Sequence, residues 1–125
     1  MRTIIFSTTD ITRRGGRVKL LKAVELGFDR ILVATTRNTL SHSDDWWVEI
    51  VGKENIFLNT GDGTCATTSE GGWRNLYKHL GEEWPNWTIT LRDGSVHTAP
   101  MRWDEAQRKL QDLGYDIGMY YNWSN

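Results

Sequence analysis

Residues 3–38 read TIIFSTTDITRRGGRVKLLKAVELGFDRILVATTRN, and their pattern decides the fold. Ile4-Ile5-Phe6 is a short apolar run that gives way to a polar loop ending in Gly15-Gly16. From Arg17 to Leu26 the spacing turns helical, with Val18, Leu21, Val24 and Phe28 on or near one face and Lys19, Lys22 and Glu25 opposite. Gly27 stands where a left-handed turn closes a helix. Ile31-Leu32-Val33-Ala34 is then a continuous aliphatic run, as expected for a strand covered on both faces. Strand, helix and strand in this order make a βαβ unit, whose right-handed crossover lays the two strands parallel.

The rest of the chain extends that unit. Between residues 43 and 52, Ser43 or Asp44 caps a short helix through Trp46, Trp47, Ile50 and Val51, closed by Gly52. The same residues are rich in β-formers, but acidic residues crowd the start and favour the helix. A third strand follows at residues 55–59, then a polar Gly- and Thr-rich loop from Gly61 to Gly72, a length typical of lids and binding loops. A helix over Trp73 to Leu80 ends at Gly81. Trp87 to Leu91 and Ser95 to Thr98 flank Arg92-Asp93-Gly94, a hairpin signal. Met101 to Leu113 reads as a helix with Trp103, Ala106, Leu110 and Leu113 on one side, and a last strand is expected over Asp116 to Tyr121. The expectation is one α/β (or α+β) domain over residues 1–125, with a short parallel sheet, a hairpin, a helix and a final strand.

Composition narrows the class. A charged fraction of 25% and a hydrophobic fraction of 38% are those of an ordinary globular chain rather than a disordered one. The single cysteine, Cys65, excludes an internal disulfide framework and suits a reducing compartment. The three apolar residues Ile4-Ile5-Phe6 are too few for a signal-peptide core, and no run approaches the roughly 20 residues that span a bilayer. A cytoplasmic protein without a membrane partner is therefore expected.

Net charge is −1, but unevenly spread. Residues 1–40 carry Arg2, Arg13, Arg14, Arg17, Lys19, Lys22, Arg30 and Arg37 against only Asp10, Glu25 and Asp29. A small basic third suits one anionic ligand better than a long nucleic-acid track, and a pI near 6.3 argues the same way. Basic and acidic surfaces meeting between subunits of a homo-oligomer are an alternative use of the asymmetry.

Three apolar runs end in similar polar chemistry: Ser7-Thr8-Thr9-Asp10, Thr35-Thr36-Arg37-Asn38 and Asn59-Thr60-Gly61-Asp62. In a parallel sheet these ends share the edge at which open α/β folds bind ligands. Arg13-Arg14-Gly15-Gly16-Arg17 precedes a helix, where free N–H groups, close backbone approach and Arg donors favour an oxyanion. Neither the Walker nor the dinucleotide glycine pattern is present. His42, His79 and His97 lack metal-ligand spacing, and Cys65 has no activating neighbour.

Strand, Ser-Thr, helix and Gly27-Phe28-Asp29-Arg30-Ile31 loosely resemble the opening of serine-recombinase catalytic domains over about the first 35 residues. That family places an Arg two residues before its nucleophilic Ser, where this chain has Ile5 before Ser7, so the family is not adopted.

These readings converge on a small, non-catalytic protein that binds an anionic, nucleotide-like molecule without any cofactor. Its binding residues would be Thr8, Thr9, Arg13, Arg14, Gly15, Gly16, Arg17, Thr36, Arg37 and Asn38. Sequestration of a signalling nucleotide, as small phage-type inhibitors perform, is one form of that role. Two alternatives stand beside it. One is a phosphoester or glycosidic-bond hydrolase using Asp10 or Asp62, and the other a protein-binding inhibitor presenting Trp46, Trp47, Trp84 and Trp87.

Overall fold

A computed structural model describes residues 1–59 and 68–124. The apolar runs form β1 (Thr3–Ser7) and β2 (Arg30–Ala34), paired in parallel with Ile4 opposite Ile31 and Phe6 opposite Val33. Between them lie α1 (Thr8–Thr12) and α2 (Gly16–Glu25). The ambiguous stretch is helical, as α3 (Asp45–Val51), and leads into β3 (Ile56–Phe57), which pairs in parallel with β2. Then come α4 (Thr68–Leu80), the hairpin of β4 (Asn86–Thr90) and β5 (Val96–Pro100), α5 (Trp103–Asp112) and β6 (Asp116–Ile117). Sheet order is β3-β2-β1-β6, all parallel, with the antiparallel hairpin separate. No helix among the described residues is long and apolar enough to cross a membrane.

Alternation along β1 sorts the core into two layers. Ile4 and Phe6 face α2 and α3, packing with Leu20, Ala23, Trp47, Val48 and Val51. Ile5, with Leu32, Ala34 and Ile117, faces α4 and α5 and meets Trp73, Leu76, Tyr77, Ala106 and Leu110. Both faces of the sheet are covered, which explains its unbroken aliphatic strands.

Three local expectations are corrected. First, α2 buries Gly16, Leu20 and Ala23, while Val18, Leu21 and Val24 are 69%, 45% and 50% exposed. The cause is Gly16, where a Cβ would overlap the carbonyls of Asp10 and Ile11. That close packing of α2 on α1 sets the helix rotation, so the stripe through residues 16, 20 and 23 turns inward.

Second, Gly71 and Gly72 belong to α4 rather than to a loop. A side chain at Gly71 would strike the Asn59 carboxamide, and one at Gly72 the backbone of Thr35. The helix passes so close to the sheet edge that only glycine fits. Residues 61–67 of the expected loop, including Asp62 and Cys65, lie outside the described residues.

Third, the last strand stops at Ile117. Gly118 N–H still donates to Ile5 at 2.8 Å, but Tyr120 N–H turns back to the Ile117 carbonyl at 2.9 Å. The reversal lays Trp123 against Phe6 and Tyr121 against Phe28, with ring centroids 6.0 and 5.6 Å apart. Leu113, expected on the inner side of the preceding helix, is its C-cap residue and 51% exposed.

Candidate functional site

The topology selects one place on the sheet. From β1 the chain steps to β2 and β3 on one side, then returns through α4, the hairpin and α5 to set β6 on the other side of β1. Strand order therefore reverses between β1 and β6, and a crevice opens outside the carboxyl ends of strands at such a point.

A cavity of about 160 Å³ lies there. Its strand-end wall consists of Ser7, Thr9, Asp10, Arg13 and Thr36, and its helix wall of Trp73 from α4, Trp103 and Gln107 from α5, and Met119 after β6. The local sequence explains the strand-end wall. Ser7 caps α1, its Oγ accepting from Asp10 N–H at 3.2 Å, while Asp10 Oδ2 accepts from Ser7 N–H at 3.2 Å. This reciprocal cap folds the chain back at once, holding Thr9 and Arg13 at the edge.

The polar groups of the crevice are unequally occupied. Asp10 is 7% exposed and bound into the cap. By contrast, the side chains of Thr9, Arg13 and Thr36 make no hydrogen bond among the described residues. Gln107, also in the lining, is 1% exposed, and its Nε2 has no partner among the described residues. An unpaired buried amide costs about 1–3 kcal/mol, so native structures rarely leave one without reason. That Nε2 atom is shut off from the crevice, so the side chains with spare hydrogen-bonding capacity there are Thr9, Arg13 and Thr36, with indole and thioether surfaces beside them.

Larger hollows lack this character. One of about 420 Å³ on the outer side of α5 is lined by Asp104, Glu105, Arg108, Lys109 and Asp112, charges of both signs that solvent can satisfy. Another of about 490 Å³ gathers Glu82, Glu83 and Asp112 with Lys109, an acidic surface unsuited to an anion. Neither contains a buried unpaired polar group among the described residues.

Of the residues expected at the site, Thr9, Arg13 and Thr36 line the crevice. Thr8 is buried, and its hydroxyl donates to the Ala34 carbonyl at 3.3 Å, tying the start of α1 to the end of β2. Gly15 takes the left-handed conformation, φ 86°, at the N-cap of α2, and Gly16 is spent on packing against α1. Arg14 and Asn38 are exposed outside the crevice lining. Arg17 sits 5.3 Å over the Trp46 ring, on the α2–α3 layer. Arg37 turns away to Asp44, at 2.9 Å.

Among the tryptophans read as a protein-binding surface, Trp47 is fully buried with its indole N–H donating to Asp44 at 3.1 Å. Trp84 is partly buried and donates to the Met101 carbonyl at 2.9 Å. Only Trp87 of the four, at 43%, stands open to solvent.

Sequence reasoning missed the helix wall. A signal for Gln107 existed: it lies four residues after Trp103 and three before Leu110, so it falls within the apolar stripe of α5. No family model, curated protein or solved structure matches this chain.

Proposed function

We propose that this protein binds an anionic, nucleotide-like small molecule in the crevice between β1 and β6 and does not turn it over. The observation that carries the reading is a switch-point cavity of about 160 Å³ lined by Thr9, Thr36 and an Arg13 whose side chain has no hydrogen bond or ion pair among the described residues. Arg13 would hold the anionic group by charge-assisted hydrogen bonds, with Thr9 and Thr36 fixing its orientation. Sequestration of a signalling nucleotide is the biological form we favour. A single cysteine fits a cytoplasmic setting for it.

A second reading, hydrolysis, draws on Asp10, the one carboxylate lining the crevice among the described residues. Its engagement in the Ser7 cap argues for a structural rather than an acid–base duty.

Native mass spectrometry of the purified protein with a mixed nucleotide pool tests both. Retention of a ligand of unchanged mass supports binding, and release of altered products supports the hydrolase. Arg13→Ala should weaken retention about tenfold or more, whereas Arg17→Ala, remote from the crevice, should leave it unchanged. Equal retention by the wild type and Arg13→Ala would sink the proposed site.

A further inference from the structure

We propose that this protein pairs with a second copy of itself through β4. The two strands run antiparallel about a twofold axis at Thr88 and join both hairpins into one four-stranded sheet. No residue of β4 lines the crevice, so this association stands apart from ligand binding.

The hydrogen-bond phase of the hairpin shows which backbone groups are free. Leu91 N–H donates to the Ser95 carbonyl at 2.8 Å, and Met101 N–H to the Pro85 carbonyl at 2.9 Å. These pairs share the register that sets Trp87 opposite Ala99 and Ile89 opposite His97. Bonded and unbonded pairs alternate along an antiparallel ladder, so residues 85, 87, 89 and 91 spend their polar backbone groups inside the hairpin. Asn86, Thr88 and Thr90 turn theirs outward, where no strand meets them among the described residues. Val96, Thr98 and Pro100 do the same on β5, but Pro100 has no N–H to offer. Natural edge strands are blunted by proline or charge, and β4 carries neither. The hairpin is thus guarded on its β5 edge and open on its β4 edge.

The open edge is complementary to itself, as a twofold contact requires. Centred on Thr88, antiparallel pairing sets Asn86 opposite Thr90 of the second copy and Thr88 opposite its own mate, so every outward group of β4 finds a partner. Trp87 then falls opposite Ile89 of the second copy in an unbonded pair, where side chains lie closest. Leu91 falls opposite Pro85 on the same face. Trp87, Ile89 and Leu91, at 43%, 50% and 46% exposed in the single chain, would shield one another across the seam.

Charge agrees with a second copy as the occupant. Self-pairing brings like residues together near the axis, which only an uncharged strand tolerates. From Trp84 to Leu91 the chain has no charged residue. Glu83 and Arg92 flank that stretch at opposite ends, so antiparallel pairing lays the acidic end of one strand beside the basic end of the other. Neither makes an ion pair among the described residues, whereas Asp93 is held in the turn by Ser95. The seam engages the five residues of β4 on each side, few against the roughly 20–30 of a stable interface. Association is therefore weak and reversible.

Sedimentation velocity at concentrations up to about 1 mM tests the pairing. The wild type should rise from 14.4 kDa toward about twice that mass. Thr88→Pro removes an outward N–H and puts a ring in the seam while sparing the hairpin's own bonds, as Pro100 does on β5. It should stay monomeric. Thr98→Pro makes the same change on the other edge and should associate as the wild type does. In hydrogen exchange of the wild type, the Thr88 and Thr90 amides should gain protection with concentration, and those of Val96 and Thr98 should not. A wild type that stays monomeric throughout overturns the proposal. So does association that survives Thr88→Pro, which would move the contact to another surface. Loss of association in both proline variants would implicate the hairpin as a whole and overturn the assignment to the β4 edge.

Discussion

Arg37 Nη2 donates to Asp44 Oδ1 at 2.9 Å, joining the polar end of β2 to the entry of α3. Asp44 is sealed from solvent, and its carboxylate also accepts from Ser41 N–H at 2.9 Å, Ser41 Oγ at 3.0 Å and Trp47 Nε1 at 3.1 Å. Burial pushes its pKa up, but the Ser41 backbone N–H, Arg37, the Ser41 hydroxyl and Trp47 together outweigh burial and hold it below 3.8. A carboxylate lowered in the fold stabilises above its unfolded pKa, and that stability is lost as pH falls through the folded value. Acid should therefore erode stability below about pH 4. Asp44→Asn should flatten that acid limb and cost about 1.5–3 kcal/mol at neutral pH. Urea midpoints across the acid range check this, and an unchanged limb in the variant would remove Asp44 from acid unfolding.

Gly72 sets two effects against each other. In a helix interior glycine is about 1 kcal/mol worse than alanine, so Gly72→Ala would stabilise α4 on propensity alone. The added methyl, however, would overlap the Thr35 backbone, which has little room to yield at the end of a central strand. Overpacking costs about 1–3 kcal/mol, so the steric term wins and the melting temperature should fall. A rise on thermal denaturation would mean that α4 does not press on the sheet edge.

These glycines show where the sequence could be read and where it could not. Ile4 to Phe6 and Ile31 to Ala34 carry their strand character locally, because a strand buried on both faces needs only an aliphatic run. Gly71 and Gly72 look like loop residues for the same local reason: nothing nearby reveals that Asn59 and Thr35 will crowd the helix. The rotation of α2 was illegible for a related cause, since it depends on Gly16 meeting the carbonyls of α1. Thr9 and Thr36 could be placed at the site from strand ends alone, and Arg13 from the Arg-Gly loop that precedes α2. Gln107 could not, because α5 reaches that edge only once β6 pairs with the far side of β1.

Tyr77 governs the alkaline side. It is 2% exposed, its hydroxyl donates to the Ala106 carbonyl, and burial with the nearby Glu82 charge pushes its pKa to about 12. The fold holds the neutral phenol, so its contribution is complete below the unfolded value of 10.0 and is lost as pH rises toward about 12. Tyrosinate absorbance should show one of the four tyrosines ionising late, together with unfolding. Tyr77→Phe should remove that late step and cost about 1 kcal/mol for the lost hydrogen bond. Free titration of all four in the folded protein would contradict the burial of Tyr77.

The hairpin supplies the last prediction. Every residue of β4 and β5 is exposed, including Trp87 and Ile89 at 43% and 50%, and a two-stranded sheet alone is marginal in water. Its base is fastened by Met101 N–H to the Pro85 carbonyl and by Trp84 Nε1 to the Met101 carbonyl, both at 2.9 Å. The cross-strand amides of β4 and β5 should therefore exchange with deuterium far faster than those of β1 and β2, through local opening rather than global unfolding. Exchange at several protein concentrations makes the test sharper. Slow exchange at all of them would mean that the hairpin is stable alone. Protection that grows with concentration would mean that a second copy covers its apolar face.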